Sequence, residues 1–500
     1  MKIIFLVLVI LISIVAFDKN IPPIQLLSLY AFLVIFPLIL LYLRKNLING
    51  LLLWFILVMF WRLWTVNIPL IPDLPPQRIV WLAISFFFLT DVAFKKRKLV
   101  AGGIKIEIVM LLLCLYTLCS GFIAGTLYIE GQGLQLRPLL TAFFIPFSIF
   151  FLAKNIIDDE QKIRKTFMFF TVIGLYLGLT GIFEHFKLDY LVFPRYIMNP
   201  FVGIHFGQAR GPFLQAGVNG LSIGMMFFIP FYLLLHKNNK WTKFLLVISI
   251  FCILTGLLFT YNRASWIGFF FASLLIPIFF PNTRKMFTLS VLVLIIVVSF
   301  TAFIGRDQIS EENKGETGTS EMRYKTLNLK EAVMHRFTSK GSIYSRMNVQ
   351  KAALKMILEK PVFGFGYHTF KDVSPKYYQR IKGVPYTIGG GGVAAHNVFL
   401  FILAELGLVG LILYVFIIFY MLNISRKLYH LLPREGFLGK GLIVIIGGVF
   451  IVFFFGMLAR EIHYMVFPNG IFFLLFGVLS GLYQRLQLDN SKIIKKPDDS

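Results

Sequence analysis

The chain has 500 residues, 57% of them hydrophobic, and its formal net charge at pH 7 is +25. Soluble domains are about 45–50% apolar, so the composition excludes an ordinary soluble protein and indicates an integral membrane protein. The charge does not point to nucleic acid, because the basic residues lie in short loops between apolar segments, as in the cytoplasmic loops of membrane proteins.

About fourteen apolar segments come close to the 17–25 residues that a membrane-spanning helix needs. The first, Ile3 to Phe17, lacks a small-residue cleavage site, so we interpret it as a retained helix and not as a signal peptide. We therefore expect an all-α polytopic membrane protein with about 12–14 transmembrane helices. The segments fall at 3–17, 24–43, 50–66, 77–94, 106–127, 137–153, 166–186, 216–235, 242–261, 265–280, 286–304, 396–422, 441–459 and 469–484.

Basic loops alternate with loops that are poor in lysine and arginine, which predicts the orientation of the chain. The basic set is expected to be cytoplasmic together with both termini, and the long segments 187–215 and 305–395 are expected outside. This gives a transmembrane bundle at 1–304, an extracytoplasmic subdomain at 305–395, C-terminal transmembrane helices at 396–485 and a cytoplasmic tail at 486–500. The basic set contains the loops at 44–45, 95–98, 154–165, 237–240, 284–285 and 426–434.

Two features are predicted within the extracytoplasmic segment. Ser345 to Glu359 has the pattern of an amphipathic helix, with Ser345 as its N-cap. Gly389 to Gly392 is a glycine run that favours a flexible hinge just before His396. The apolar positions assigned to the helix are Met347, Leu354, Ile357 and Leu358.

Three arginines are predicted at the outer membrane boundary: Arg210, Arg263 and Arg346. A guanidinium is a planar donor fork that binds phosphate at two points and keeps its charge. Each arginine is also compatible with interfacial snorkelling or with a salt bridge. Acidic residues are scarce near Arg210 and Arg263, so the three together favour an anion site.

His396 precedes a predicted membrane helix and is followed by Asn397. An imidazole with an ordinary pKa near 6.5 can act as a general base, but a helix-end histidine bonded to a backbone carbonyl is an equally good interpretation. Glu405, deeper in the same predicted helix, either orients another group or has a buried structural role. Secondary candidates are Glu184, His185, Glu461 and His463.

Metal and nucleotide motifs are missing from the sequence. It contains no HExxH, no C-x-x-C and no GxxxxGK[ST], and its three cysteines lie inside apolar segments. No metal site and no cofactor are therefore predicted.

His396-Asn397 is followed, after nine residues, by Gly407-Leu408-Val409-Gly410. By this spacing the C-terminal part of the chain resembles the O-antigen ligase and O-antigen polymerase superfamily. The resemblance is strengthened by Arg346, by Pro361-Val362-Phe363-Gly364-Phe365-Gly366, and by Arg210 with Gly211, Pro212 and Asn219. Thr260-Tyr261-Asn262-Arg263-Ala264 is similar to a family element in which serine is common at the position of Asn262 and glycine at that of Ala264. The likeness covers about residues 200–420.

That resemblance implies a metal-independent, inverting glycosyltransferase with a GT-C-like membrane fold in the bacterial inner membrane. Its donor would be a glycan on undecaprenyl pyrophosphate, and its acceptor a hydroxyl of a glycan, a lipid core or a protein. By the likeness, Arg210 and Arg263 bind the pyrophosphate, Arg346 supports the phosphate or the acceptor, and His396 activates the acceptor hydroxyl. Nothing in the sequence separates a polymerase from a ligase.

The alternative from another class is a lipid-linked oligosaccharide flippase. A transporter of that kind is expected to consist of two related halves around a midplane site. No such repeat is visible in the sequence, and a transporter does not need a 90-residue outer segment that ends at His396. The enzyme interpretation is therefore favoured.

Overall fold

The structure is a computed structural model. It describes residues 42–60, 75–100, 104–129, 133–134, 136–237, 239–285, 308–312, 323–327, 340–378 and 395–494. Over these residues the chain is helical apart from two small antiparallel hairpins, which confirms the all-α prediction. The hairpins are formed by β1 (Tyr128–Ile129) with β2 (Gly133–Leu134) and by β3 (Gln308–Glu312) with β4 (Arg323–Leu327).

Eight helices in the described part of the chain are long and apolar enough to cross a membrane, as expected for a polytopic membrane protein. Four shorter or less apolar helices are α1 (Leu47–Met59), α2 (Pro76–Ala93), α8 (Arg263–Phe279) and α9 (Lys340–Glu359). The eight are α3 (Ile104–Ile123), α4 (Arg137–Ile156), α5 (Glu160–His185), α6 (Ala216–Leu235), α7 (Lys240–Phe259), α10 (Val398–Leu431), α11 (Lys440–Ala459) and α12 (Val466–Ile494).

The predicted segments from 106 onward that the structure describes each correspond to one of these helices, and 265–280 corresponds to the short α8. The predicted ends at 422 and 484 were too early, because α10 continues to Leu431 and α12 to Ile494. The predicted spans at 3–17 and 286–304 lie outside the described residues, as do nearly all of 24–43 and the glycine run at 389–392.

The described residues form two compact units. The first contains residues 42–57 and 75–98, and within it Gly50 of α1 packs directly against Ile84 of α2. The second contains residues 58–60 and the described residues from 99 onward, with the eight spanning helices.

Glycines let two helices of the second unit approach closely. A Cβ added at Gly256 of α7 would lie 2.7 Å from the Cα of Gly178 in α5, and one at Gly178 would lie 2.5 Å from the carbonyl oxygen of Cys252. Small residues at helix contacts are how membrane helices gain packing where the hydrophobic effect contributes little. Any side chain at these positions would force the two helices apart.

Helix α10 is broken at Gly407, where φ is +64° and ψ is −167°. The break frees backbone groups of α10, which pair with the loop at residues 361–366. Gly366 N–H donates to the carbonyl of Glu405 over 2.8 Å, and Leu408 N–H donates to that of Pro361 over 2.9 Å. This pairing explains why the Gly407–Gly410 motif and the 361–366 motif occur together in the sequence: they are the two sides of one joint.

The amphipathic helix differs from its prediction in two ways. It begins at Lys340, so Ser345 lies inside it, and the assignment of Ser345 as N-cap was wrong. Three of the four residues predicted for the apolar face are exposed, namely Met347, Leu354 and Leu358, and only Ile357 packs against the core. The buried residues are Val349, Ala352, Ala353 and Met356.

The reason for the second error is steric. In that buried set, small alanines at the centre of the face let α9 pack closely against α10, with Phe370 and Phe401 completing the shared core. Hydropathy alone favours the larger leucines and misses a face whose centre is made of alanine.

Candidate active site

Arg263 is placed by a capped helix start. Asn262 is the N-cap of α8, and its side-chain oxygen accepts the backbone N–H of Ser265 over 3.0 Å. Asparagine and serine both perform this role well, so the cap is compatible with the resemblance to an element that commonly has serine at this position. The cap makes Arg263 the first residue of the helix, where the positive end of the helix dipole also favours an anion.

Arg346 lies on α9 and comes close to Arg263. Burial lowers the pKa of Arg346, the charge of Arg263 lowers it further, and Glu461 acts in the opposite direction. The two guanidinium groups thus lie close together in space, although 82 residues separate them in sequence. Like charges held together in this way favour an anion between them.

His396 and Asn397 form the start of α10. Asn397 is the N-cap and accepts the backbone N–H groups of Phe399 and Leu400, over 2.9 and 3.1 Å. Its amide also donates to the carbonyl of Leu458 over 3.4 Å, which joins the start of α10 to the end of α11. His396, just before the cap, has a left-handed backbone with φ +53°. A β-carbon makes that conformation costly, and such residues are concentrated at functional sites.

Arg460 and Glu461 enter the same neighbourhood from the end of α11. Arg460 has an extended backbone that terminates the helix. A Cβ at Gly217 would lie 2.0 Å from Cζ of Arg460, so the guanidinium lies directly on the first turn of α6. The carboxylate of Glu461 accepts the backbone N–H of His396, and its Oε2 lies 3.9 Å from Nδ1 of the imidazole.

Burial and the neighbouring charges keep the imidazole of His396 neutral. Burial, together with the cations Arg346 and Arg460, lowers the pKa of His396 to about 4. Burial raises the pKa of the Glu461 carboxyl, against the lowering effect of the His396 N–H and of the same two arginines. Near pH 7 the histidine is therefore a free base, as a group that accepts a proton must be.

We call these five residues the site cluster: Arg263, Arg346, His396, Arg460 and Glu461. The starts of α6, α8 and α10 and the end of α11 meet there, and we call this end of the second unit the site end. The cluster combines three cations, one unprotonated base and one acid. Such a set is suited to binding an anion and accepting a proton beside it.

The guanidinium of Arg210, by contrast, donates hydrogen bonds to the backbone of its own loop. The side chain is 1% exposed and donates four hydrogen bonds of 2.6–3.2 Å. The acceptors are the carbonyls of Ile197, Asn199 and Val202. Glu184, a secondary candidate from the sequence, accepts the backbone N–H groups of Arg210 and Gly211 over 3.1 and 2.9 Å. These contacts favour a loop-ordering role for Arg210, and pyrophosphate binding by it stays a prediction.

Glu405 also bonds to backbone. Its two carboxylate oxygens accept the N–H groups of His368 and Phe370 over 2.8 and 2.9 Å. It thereby fixes the turn that follows the 361–366 loop. Of the two roles that the sequence left open, these contacts favour the structural one.

The secondary candidates are divided between the site cluster and the protein interior. His463 is 1% exposed, and both of its ring nitrogens are buried without a hydrogen-bond partner between Phe143 and Phe401. His185 stacks on Phe259 with ring centroids 3.7 Å apart. Within the described ranges, no three His, Cys, Asp or Glu side chains are grouped as a metal site requires.

Arg460 was missed by the sequence analysis. A usable signal existed, because Arg460 directly follows the apolar segment at 441–459, as an arginine at a membrane boundary. Applying to this residue the rule that singled out Arg263 would have found it. Its closeness to His396, 64 residues away in sequence, required the fold.

Comparison with known proteins supports the resemblance seen in the sequence. Residues 248–415 match the family model described as O-Antigen ligase. The matched range contains Arg263, Arg346 and His396 of the site cluster. A search of curated proteins finds no match to the chain.

Proposed function

We propose that this membrane protein transfers a glycan from a lipid-linked diphosphate to an acceptor hydroxyl. The match of residues 248–415 to the O-antigen ligase family model supports this proposal and membership of the O-antigen ligase and polymerase superfamily. The observation that carries the proposal is the site cluster, in which cations surround a neutral imidazole. The proposed donor lipid is undecaprenyl, the site end faces the outside of a bacterial inner membrane, and both termini are cytoplasmic.

The donor's diphosphate would bind among Arg263, Arg346 and Arg460, with the first turn of α6 beside Arg460. When the bond between the anomeric carbon and the diphosphate oxygen breaks, negative charge grows on that oxygen. Fixed cations in a partly buried site stabilise this charge without having to reorganise. Diphosphate is already a good leaving group, so the mechanism does not need a general acid.

His396 would take the proton of the acceptor hydroxyl as the oxygen attacks the anomeric carbon. The new glycosidic bond forms as the bond to diphosphate breaks, the proton ends on the imidazole, and the lipid diphosphate departs. Attack from the side opposite the leaving group inverts the anomeric configuration. Proton acceptance of this kind contributes roughly 10²–10⁴-fold to a rate.

The remaining predicted residues have supporting roles in this proposal. Asn397 holds His396 by capping α10, and Arg210 with Glu184 shapes the loop beside the start of α6. In this proposal none of the three contacts the reacting atoms. No metal takes part, so a chelator should leave the rate unchanged.

The proposal is tested with purified protein in lipid nanodiscs, a defined undecaprenyl-diphosphate oligosaccharide and a candidate acceptor. A ladder of products indicates a polymerase and a single addition indicates a ligase, with the opposite anomeric configuration to the donor in both cases. The flippase alternative is not favoured by the family match. Movement of the lipid-linked glycan across vesicles, without any glycosidic product, would overturn the enzyme proposal.

Orientation needs a separate test, with single cysteines in a variant that lacks Cys114, Cys119 and Cys252. Leu358 is 82% exposed on α9, and Arg434 is exposed in the loop between α10 and α11. A cysteine at position 358 should react with an impermeant reagent added to intact cells, and one at 434 should be protected. The reverse labelling pattern would contradict an outward-facing site.

A further inference from the structure

We infer that Glu461 is a positioning residue for His396: its carboxylate holds the imidazole with Nδ1 turned toward it, so that Nε2 receives the proton of the acceptor hydroxyl. The inference rests on the proposed function. It adds the group that fixes which ring nitrogen reacts and in which direction that nitrogen points.

The two oxygens of Glu461 have separate contacts with His396. Oε1 accepts the backbone N–H of His396, and Oε2 lies 3.9 Å from Nδ1. Nδ1 is buried without a hydrogen-bond partner, although the side chain as a whole is 37% exposed. The exposed edge of the ring is therefore the one that carries Nε2. A movement of about 1 Å would bring Oε2 within hydrogen-bond distance of Nδ1.

The backbone that carries Glu461 is held firmly. It lies in the short break between α11 and α12, followed at once by Ile462 and His463, which are 0% and 1% exposed. The N–H of Tyr464 donates back to the Glu461 carbonyl over 3.2 Å. A carboxylate presented from a pinned segment can orient a histidine, because its own position varies little.

The cations around His396 explain why an acid, Glu461, lies beside its imidazole. The cations Arg346 and Arg460 act on the imidazole, and the acid Glu461 has its Oε2 3.9 Å from Nδ1. Beyond them, Arg263 faces Arg346, and the Tyr464 hydroxyl faces Glu461. A proton arriving on Nε2 produces an imidazolium beside two arginines, which is unfavourable unless a carboxylate lies at Nδ1. Glu461 occupies that place.

The competing interpretation is that Glu461 only offsets the charge of Arg346 and Arg460, both of which act on its carboxyl. In that case its loss would change donor binding. A positioning role instead changes the chemical step and depends on His396. The two interpretations therefore differ in which kinetic constant moves.

The experiment uses Glu461→Gln in the full-length protein, with Glu359→Gln as the matched control. Glu359 is exposed on α9 and bonds to the Tyr377 hydroxyl, so its replacement removes the same charge away from the imidazole. We expect Glu461→Gln to lower kcat by roughly 10–100-fold. The KM for the donor should stay within about twofold, and Glu359→Gln should match the wild type.

A double variant provides the decisive measurement. If Glu461 acts through His396, adding Glu461→Gln to His396→Ala should lower the residual rate by less than about twofold, because residues that act as a unit are not additive. Losses that multiply, or a raised donor KM with unchanged kcat, would overturn the inference.

Should Glu461→Gln fail to fold, Glu461→Asp is the second variant, because it keeps the charge but has a shorter side chain. A kcat reduced to the same extent supports positioning, and a wild-type kcat overturns it. Absence of transfer by the wild type would refute the proposed function instead.

Discussion

Two arginine regions lie near the starts of spanning helices and use the same side chain in opposite ways. In the loop before α6, the guanidinium of Arg210 donates to three backbone carbonyls, and Glu184 accepts two backbone N–H groups. In the site cluster, Arg346 faces another arginine and an imidazole, and the acid Glu461 is shared between Arg346 and Arg460. One region is internally satisfied, and the other concentrates positive charge.

This difference in partners indicates which arginines are available to bind a ligand. A guanidinium bonded to carbonyls lowers the free energy of its own loop and has little left to offer a ligand. Arginines held close to one another raise the free energy of the empty site, and an anion would lower it. Substitutions in the two regions should therefore affect different measurements, folding in the first and transfer in the second.

The largest expected effect is on catalysis by the site cluster. Replacing His396 by Ala should lower the rate of glycan transfer by roughly 10²–10⁴-fold, because the acceptor hydroxyl loses its base. Membrane abundance and Tm should not fall, because an alanine at this position leaves the cap at Asn397 and the packing of α10 in place. A variant with the wild-type rate in the nanodisc assay would remove His396 from the mechanism.

The two arginine regions are compared directly by Arg210→Ala and Arg346→Ala. Arg210→Ala should destabilise the protein by about 3 kcal/mol, because the buried carbonyl of Ile197 and the part-buried ones of Asn199 and Val202 lose their donor, and it should lower Tm and abundance. Arg346→Ala should leave Tm unchanged or raised, because a like-charged neighbour of Arg263 is removed. Its kcat/KM for the donor should fall roughly 10–100-fold, the value of a charge-assisted bond.

The converse pattern would break the comparison. If Arg210→Ala folds normally but loses donor binding, Arg210 binds pyrophosphate as the sequence predicted. Arg210→Lys sharpens the test, because a single ammonium cannot reproduce a fork that reaches three carbonyls. We expect the lysine variant to be nearly as unstable as the alanine variant in a thermal unfolding measurement.

Gly407→Ala tests the joint between α10 and the 361–366 loop. The added Cβ would lie 2.2 Å from the carbonyl oxygen of Val362, at a backbone φ of +64°. We expect a loss of about 1–3 kcal/mol in the free energy of unfolding, from strain and from broken backbone pairing. Gly447→Ala in α11 is the matched control, since its Cβ would meet nothing nearer than Leu275 Cδ1 at 3.9 Å. Equal Tm values for the two variants would refute the joint.

The smallest expected effect is a shift in the dependence of kcat/KM on pH. The pKa of His396 lies near 4, below its ordinary value, so the free base persists as pH falls from 7 and is lost only as pH approaches 4. Because Arg346 lowers that pKa, Arg346→Ala should move the acid limb to higher pH. The donor's own titration is common to both proteins and cancels in the comparison. If the acid limb of the pH profile stayed at the same pH, the charge of Arg346 would not act on the pKa of His396.

The sequence by itself determined the membrane class, the positions of most spanning helices and the family resemblance carried by the His396-Asn397 and Gly407–Gly410 elements. Hydropathy and motif spacing are local, so they can be recognised without coordinates. The tertiary structure alone assigned the contacts of each candidate. It directed Arg210 and Glu405 to backbone groups and brought Arg460 and Glu461 beside His396. A guanidinium or carboxylate has the same chemistry in both settings, and what separates scaffold from site is which partners the packed helices bring within a few ångströms.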